Sequence, residues 1–149
     1  MEIGETSVRD DPENGCFACS PHNTHGLQMR FIQTEEHTVE ARYTVPRHME
    51  GGSRVVHGGI QAVLLDEVMG AAVQRGFQEE GDFVTAEMSL RYRRPANVEQ
   101  ELLLRAELKR SEGRDYFVEG EILDSSGEVL TRASARWVKL GTTPEPRHG

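Results

Sequence analysis

The chain has 149 residues, 36% of them hydrophobic, and a formal net charge of −8 at pH 7. This length suits one domain with a substantial core, and we expect that domain at residues 15–140, between unstructured ends at 1–14 and 141–149. The negative charge argues against nucleic acid or an anionic membrane as a partner, and no apolar run approaches the roughly 18 residues of a membrane span. The start of the chain lacks a signal-peptide pattern, so we expect a cytoplasmic protein.

The first notable segment is CFACSPHNTHGL at residues 16–27, in which cysteines and histidines recur at every third position. The four side chains of zinc-ligand type are Cys16, Cys19, His22 and His25. Zinc fingers separate their ligand pairs by about a dozen residues, so this short spacing makes a zinc site the less favoured interpretation, and we expect no metal. Pro21, Asn23 and Gly26 equally indicate an ordinary turn that leads into a strand. A disulfide is disfavoured in the cytoplasm.

Alternating apolar residues predict six strands around one helix. The predicted strands cover residues 27–31, 39–45, 84–92, 102–108, 116–123 and 129–138. Pro46 and Pro95 end two of these strands, and DSSG at 124–127 indicates a hairpin turn. The predicted order is β-β-α-β-β-β-β, which gives an α+β fold class with one long helix packed on an antiparallel sheet.

The helix is predicted within VVHGGIQAVLLDEVMGAAVQRG at residues 55–76, an apolar segment that carries two acids in its middle. We expect it to begin near Gly58 or Gly59 and to end at Gly76, a length of about 17 residues. Its own apolar residues cover nearly the whole circumference of the helix, which predicts that the helix is buried. Gly70 costs about 1 kcal/mol relative to alanine in a helix interior. Gly70 therefore indicates that another backbone packs closely against the helix at this residue, either the chain's own sheet or a second copy of the helix.

The candidate chemical groups lie at two places along this helix. Free N–H groups in the glycine turn after His57 are suited to bind an oxyanion or a phosphate. Asp66 lies about 12 Å further along the axis from Gly58. One small reacting group cannot touch both within one chain, so we predict that a two-fold dimer sets the glycine turn of one chain against Asp66 of the other. Asp66 is favoured over Glu67 because it shares the small-residue face, and a purely structural role for Asp66 is the alternative.

Two segments, VHGGIQAVLLDEVMG at 56–70 and FVTAEMSLRYRRP at 83–95, resemble the PaaI-like (phenylacetate-degradation) branch of the hotdog-fold 4-hydroxybenzoyl-CoA thioesterase superfamily. The segment at 16–27 is similar to that family's CFxCG…N…GL opening, with Ser20 in place of glycine, and the likeness runs from about residue 16 to 138. The resemblance implies a cofactor-independent acyl-CoA thioesterase. It also implies a homodimer whose sheets join edge to edge, often paired again as a homotetramer.

The same resemblance implies roles for individual residues. Gly58 would donate its N–H to the thioester carbonyl, His57 would shape the turn, and Asp66 of the partner would act as general base or nucleophile. Thr85 matches the hydroxyl that positions water in relatives. Several relatives carry an amide side chain where this chain has Gly51, so the source of a second contact to the carbonyl stays open.

The remaining predicted contacts are with the substrate. The candidates are Gly59, Ala62, Glu67, Arg91, Arg93 and Arg94. The three arginines form the densest basic cluster, and their forked donors suit the phosphates of CoA, although protection of a sheet edge is the alternative. Glu67 points about 100° away from Asp66 around the helix, so it either turns to solvent or pairs with an arginine such as Arg91.

Other functions remain open at this point. A hydratase or dehydratase acting on enoyl-CoA needs a histidine that faces an acid, which the spacing of His57 and Asp66 does not give in one chain. A non-catalytic acyl-CoA-binding module usually lacks the acid, and a purely structural dimer does not explain the glycines beside His57. The acyl group itself is left open because its tunnel is built from side chains spread over both chains.

Overall fold

The structure is a computed structural model, and it describes residues 4–6, 13, 15–74 and 81–141. Within these residues one long helix, α1, spans Gly58–Gln74, and a short 3-10 turn lies at Arg47–Met49. The strands are β1 (Gly4–Thr6), β2 (Phe31–Glu35), β3 (Thr38–Thr44), β4 (Phe83–Tyr92), β5 (Glu101–Glu112), β6 (Asp115–Leu123) and β7 (Val129–Lys139). From β2 onwards the order is the predicted β-β-α-β-β-β-β, and the α+β class is confirmed.

All strands belong to one antiparallel sheet with the order β1-β2-β3-β5-β6-β7-β4. β4 follows α1 in the chain but pairs with β7, because α1 carries the chain across the face of the sheet. β4 is therefore an edge strand, and its outer backbone edge has no partner strand in the described part of the chain.

Period-two alternation decides which face of the sheet is buried. In β5, Leu102, Leu104 and Ala106 are buried against α1, whereas the residues between them point to the other face. The predicted turn at 124–127 is confirmed as the link between β6 and β7. Asp124 Oδ1 accepts hydrogen bonds from the N–H groups of Ser126 at 2.9 Å and Glu128 at 3.0 Å.

The first residues differ from the predicted unstructured end. Gly4–Thr6 forms β1 and pairs with the edge of β2. Backbone hydrogen bonds form the ladder of this pairing, and no hydrophobic pattern in the sequence indicates it. Of the other predicted unstructured end, 141–149, the structure describes only residue 141. The expected helix stop at Gly76 also lies outside the described residues.

The segment at 27–31 also differs from its prediction, because the strand begins only at Phe31. Gln28 has a φ of +52°, which interrupts a regular strand. Leu27 and Met29 are buried as expected, but their N–H groups donate to the carbonyl oxygens of Phe17 and Ala18, both at 2.8 Å. The N-terminal segment, residues 15–29, thus folds back on itself before the sheet begins.

α1 packs on the sheet through residues that are fully buried, among them Leu64, Leu65 and Val68. Gly70 explains how closely the helix approaches, since a Cβ built there would lie 2.6 Å from Cη2 of Trp137 in β7. The close approach predicted at Gly70 is therefore to the chain's own sheet, and a second helix is not needed to explain it. No helix in the described residues is long and apolar enough to cross a membrane.

Candidate active site

The start of α1 is built around His57, whose backbone carbonyl accepts the N–H of Gln61 at 3.0 Å. The Nδ1 atom of His57 accepts the N–H of Gly59 at 2.9 Å, so the imidazole caps the first turn of the helix. A Cβ at position 59 would lie 3.1 Å from that ring, which explains why a glycine follows. His57 thus makes the contact expected of a residue that shapes the turn.

Gly58 sits between this cap and the sheet. Its carbonyl oxygen accepts the hydroxyl of Tyr92 at 2.8 Å. Its N–H has no hydrogen-bond partner among the residues that the structure describes, in keeping with the unsatisfied donors of a helix N-terminus. The turn therefore presents an oriented donor that is available to a ligand.

Asp66 lies two turns further along α1 and is partly buried. Its Oδ1 accepts the hydroxyl of Thr85 at 2.6 Å. Burial raises the pKa of the Asp66 carboxyl above its ordinary value, and the Thr85 hydrogen bond acts in the opposite direction. The structure thus brings together two of the predicted catalytic side chains, Asp66 and Thr85, within one chain.

A β-bulge places Thr85 on the helix side of the sheet. The register of β4 against β7 shifts between Thr85 and Glu87, which leaves Ala86 as the extra residue. Strict alternation would put Thr85 and Glu87 on the same face. Instead Thr85 meets α1, and Glu87 pairs with Arg136 at 2.8 Å on the opposite face. The uninterrupted alternation predicted for 84–92 is therefore wrong at its first residues. It places Val84 on the buried face, whereas Val84 is 44% exposed.

An open pocket of about 360 Å³ lies beside Asp66. It is lined by Phe17, Ala18, Ala62, Val63, Asp66, Glu67 and Met88. Apart from the two carboxylates, these side chains are apolar, as is usual for a small-molecule site. A wider depression of about 530 Å³ lies on the sheet face opposite to α1. It is edged by charged side chains that pair with one another, such as Arg136 with Glu87, and it does not include the Asp66 and Thr85 pair.

Glu67 is placed differently from the prediction that it turns to solvent or pairs with Arg91. It lines the same pocket as Asp66, and burial together with the Asp66 charge raises the pKa of Glu67 to about 7. Its carboxylate lies beside two thiols, and the ligand atoms of Cys16, Cys19 and Glu67 all lie within 4.8 Å of one another. His22 and His25, the other two side chains of zinc-ligand type in that segment, are not part of this cluster.

The family model for the thioesterase superfamily matches residues 54–131, just over half of the chain. This match covers the glycine turn, Asp66 and Thr85. The chain belongs to the thioesterase superfamily. The recognition made from the helix motif and the following strand is thereby confirmed at the level of the superfamily.

Individual members of the superfamily agree with this assignment. The acyl-coenzyme A thioesterase THEM4 of Rattus norvegicus is 30% identical over 94 residues, which are 62% of this chain and 39% of the relative. The chain spans well under half the length of the curated relatives it matches.

A crystal structure described as a thioesterase superfamily protein superimposes with a TM-score of 0.75 at 27% identity, covering 84% of this chain and 60% of that one. The PaaI protein of the E. coli phenylacetic acid degradation operon has a TM-score of 0.69 at 18% identity, covering 77% and 81%. The hotdog fold is confirmed.

The three arginines of this superfamily member do not join the pocket within one chain. Arg91 follows Glu87 in regular alternation and so lies on the sheet face away from α1. Arg94 pairs with Glu128 at 3.0 Å, and the N–H groups of Arg93 and Arg94 both donate to the Leu130 carbonyl. Contact between these arginines and the phosphates of CoA stays a prediction.

Gly51 lies in the loop before the glycine turn. Its N–H donates to the Val55 carbonyl at 2.7 Å. A Cβ at this position would lie 3.2 Å from the Cα of His57, so the glycine lets the loop pack tightly against the turn. A second donor to the substrate carbonyl is therefore not supplied from position 51.

Sequence reasoning missed two residues that support the glycine turn. The alternation of 84–92 predicts only that Tyr92 lies in a strand, on the same face as Met88. Gln61 is buried, donates from Nε2 to the Val56 carbonyl at 3.2 Å, and accepts the Thr131 hydroxyl at 2.6 Å. A lone glutamine in an apolar helix was the signal for this network, since a buried amide requires partners.

Proposed function

We propose that the protein is an acyl-CoA thioesterase that hydrolyses a small aryl- or acyl-CoA to the free acid and CoA. The observation that carries this proposal is the Asp66 carboxylate, held by Thr85 in the wall of a mostly apolar pocket. The available N–H of Gly58 supplies the second required element, a donor for a developing oxyanion. Superfamily membership and the name of the rat relative support the same reaction.

The reacting centre is completed by a second copy of the chain. Gly58 and Asp66 lie about 12 Å apart along one helix, which is too far for both to touch one thioester carbonyl. A two-fold dimer with antiparallel helices brings the Gly58 turn of one chain to Asp66 of the other. The open edge of β4 supports this assembly, because a second β4 would extend the sheet and cover Val84 and Tyr92, which are 44% and 52% exposed.

In the proposed reaction the thioester carbonyl oxygen accepts the N–H of Gly58 as negative charge develops on it. The partner's Asp66 either takes a proton from the attacking water or attacks the carbonyl carbon itself. If Asp66 activates water, the carbon–sulfur bond breaks and the CoA thiolate takes the proton that Asp66 accepted. If Asp66 attacks, the same bond breaks to leave an anhydride on Asp66 and a thiolate that takes a proton from water. The resulting hydroxide hydrolyses the anhydride to the free acid and restores the Asp66 carboxylate. Loss of one oxyanion donor costs about 100-fold or more in such reactions, so the Gly58 N–H accounts for a substantial part of the rate.

The test is the variant Asp66→Asn, assayed by thiol release with phenylacetyl-, hydroxybenzoyl-, short-chain and long-chain acyl-CoA. We expect nearly complete loss of hydrolysis with the fold and the dimer unchanged, because an amide neither accepts the proton nor attacks the carbonyl. Asp82→Asn is the matched control, since Asp82 is exposed and does not line the pocket.

Near-normal turnover in Asp66→Asn would remove that residue from the mechanism. A wild-type protein that binds acyl-CoA but hydrolyses none of the panel would instead favour the non-catalytic binding module.

A further inference from the structure

Two thiols and a carboxylate meet at the edge of the pocket, although they come from distant parts of the chain. Cys16 and Cys19 belong to the N-terminal segment, and Glu67 belongs to the middle of α1. Their ligand atoms lie within 4.8 Å of one another, a distance at which all three can reach one ion. Because 48 or more positions separate the cysteines from Glu67 in sequence, the fold itself builds this cluster.

The backbone holds the two cysteines in one fixed turn. The Cys19 N–H donates to Cys16 Sγ at 3.2 Å, and the Ser20 N–H donates to the Cys16 carbonyl at 3.1 Å. An N–H that points at a sulfur stabilises negative charge there, as the thiolate form requires. The turn is anchored further by the hydrogen bonds from Leu27 and Met29 to the carbonyls of Phe17 and Ala18.

Glu67 lies in a partly buried position beside the two thiols. It receives neither a hydrogen bond nor an ion pair from the part of the chain that the structure describes. Asp66, which carries the same sign of charge, precedes it on α1, and Cys19 is buried beside it. Two sulfurs and one carboxylate oxygen that can reach a single point are donor types that zinc takes as ligands.

We propose that Cys16, Cys19 and Glu67 bind a zinc ion that fastens the N-terminal segment to α1. Two sulfur ligands disfavour Mg²⁺ and Ca²⁺, which take oxygen ligands, and a carboxylate disfavours Cu(I). Zinc accepts thiolate and carboxylate together, and three protein ligands leave a fourth position for water. Binding releases the thiol protons to solvent.

This site differs from the arrangement that the Cys-x-x-Cys-x-x-His-x-x-His spacing indicates. Glu67 replaces the two histidines, so the metal joins two segments instead of closing a short loop. Phe17 and Ala18 lie between the two cysteines and line the pocket. The zinc ion therefore fixes one wall of the proposed acyl site without taking part in the reaction.

The test uses the untagged full chain, purified from zinc-supplemented cells under reducing conditions. We expect one zinc ion per chain by mass spectrometry of the metal. We also expect Co²⁺ to substitute for the zinc ion. The cobalt-loaded protein should then show the charge-transfer absorption from thiolate to cobalt in the near ultraviolet. Cys19→Ser and Glu67→Gln should each weaken zinc binding by more than the roughly 10–100-fold that loss of an outer-shell partner costs.

The matched controls are His22→Ala and His25→Ala, which should keep zinc and the cobalt spectrum. Circular dichroism establishes that each variant is folded. A folded wild-type protein that takes up neither Zn²⁺ nor Co²⁺, or that holds a Cys16–Cys19 disulfide instead, overturns the proposal. So does a protein that loses zinc in His22→Ala but keeps it in Glu67→Gln. Because the readout is bound metal, these results are independent of whether the protein hydrolyses acyl-CoA.

Discussion

The Thr85 hydroxyl donates a hydrogen bond of 2.6 Å to Asp66 and orients that carboxylate in the pocket wall. Hydrogen bonds to charged groups contribute about 1.5–3 kcal/mol, so we expect Thr85→Ala to lower kcat about 10- to 100-fold, less than Asp66→Asn does. Thr85→Ser keeps the hydroxyl and should keep most of the activity. Steady-state hydrolysis of the best acyl-CoA measures both variants. An unchanged rate in Thr85→Ala would reduce Thr85 to an ordinary strand residue.

The Tyr92 hydroxyl positions Gly58, because it donates to the Gly58 carbonyl at 2.8 Å and so holds the peptide that follows the donor. We expect Tyr92→Phe to lower kcat several-fold while KM changes little, since the interaction aligns the oxyanion donor and does not touch the acyl group. Tyr43→Phe is the control, because Tyr43 lies in β3, which three other strands separate from β4. Equal rates in the two variants would mean that the Tyr92 hydrogen bond does not serve catalysis.

At the scale of elements, the contact of α1 with β7 depends on the absence of a side chain at position 70. A Cβ there would lie 2.6 Å from Trp137 Cη2 and 2.9 Å from Cζ2, and Trp137 is only 8% exposed. Overpacking of this kind costs about 1–3 kcal/mol, which exceeds the roughly 1 kcal/mol that alanine gains over glycine in a helix. We therefore expect Gly70→Ala to lower the urea midpoint.

A double-mutant cycle isolates this contact. Phenylalanine at position 137 removes the atoms that would clash, so Gly70→Ala should be neutral or stabilising in the Trp137→Phe background. If Gly70→Ala destabilises both backgrounds equally, the glycine serves some other purpose than contact with Trp137.

Elements with a regular period could be predicted from the sequence alone. α1 begins at Gly58 as expected, and β4 to β7 cover the predicted strand segments, because helix and strand periods are local properties of the chain. Local patterns cannot show a backbone that departs from its period. The bulge at Ala86 and the φ of +52° at Gln28 are two such departures, and each changes the direction of neighbouring side chains.

The candidate site was predictable in part for the same reason. Asp66 and the glycine turn lie on one helix, so their spacing follows from helix geometry. The position of Glu67 depends on the N-terminal segment, which covers the partly exposed side of α1 that carries Val63, Asp66 and Glu67. That contact joins residues far apart in sequence, and no periodicity encodes it.

At the scale of the whole molecule, the proposed site belongs to two chains, and mixed dimers test this directly. One chain carries Asp66→Asn. The other carries Gly58→Pro, which removes the N–H donor at a first helical position where proline is tolerated. Each variant alone should be nearly inactive. In a mixed dimer the intact Gly58 of the first chain faces the intact Asp66 of the second, so one of its two sites is restored.

Random exchange between equal amounts of the two chains makes half of the dimers mixed, each with one intact site. We therefore expect the mixture to regain about a quarter of wild-type activity. Co-expression with two different affinity tags isolates the mixed dimer, whose expected activity is about half that of the wild type. Two wild-type subunits carrying those tags serve as the control for tag effects. A site contained within one chain predicts no recovery, because every chain in the mixture then carries one defect. An isolated mixed dimer without activity would therefore contradict a shared site.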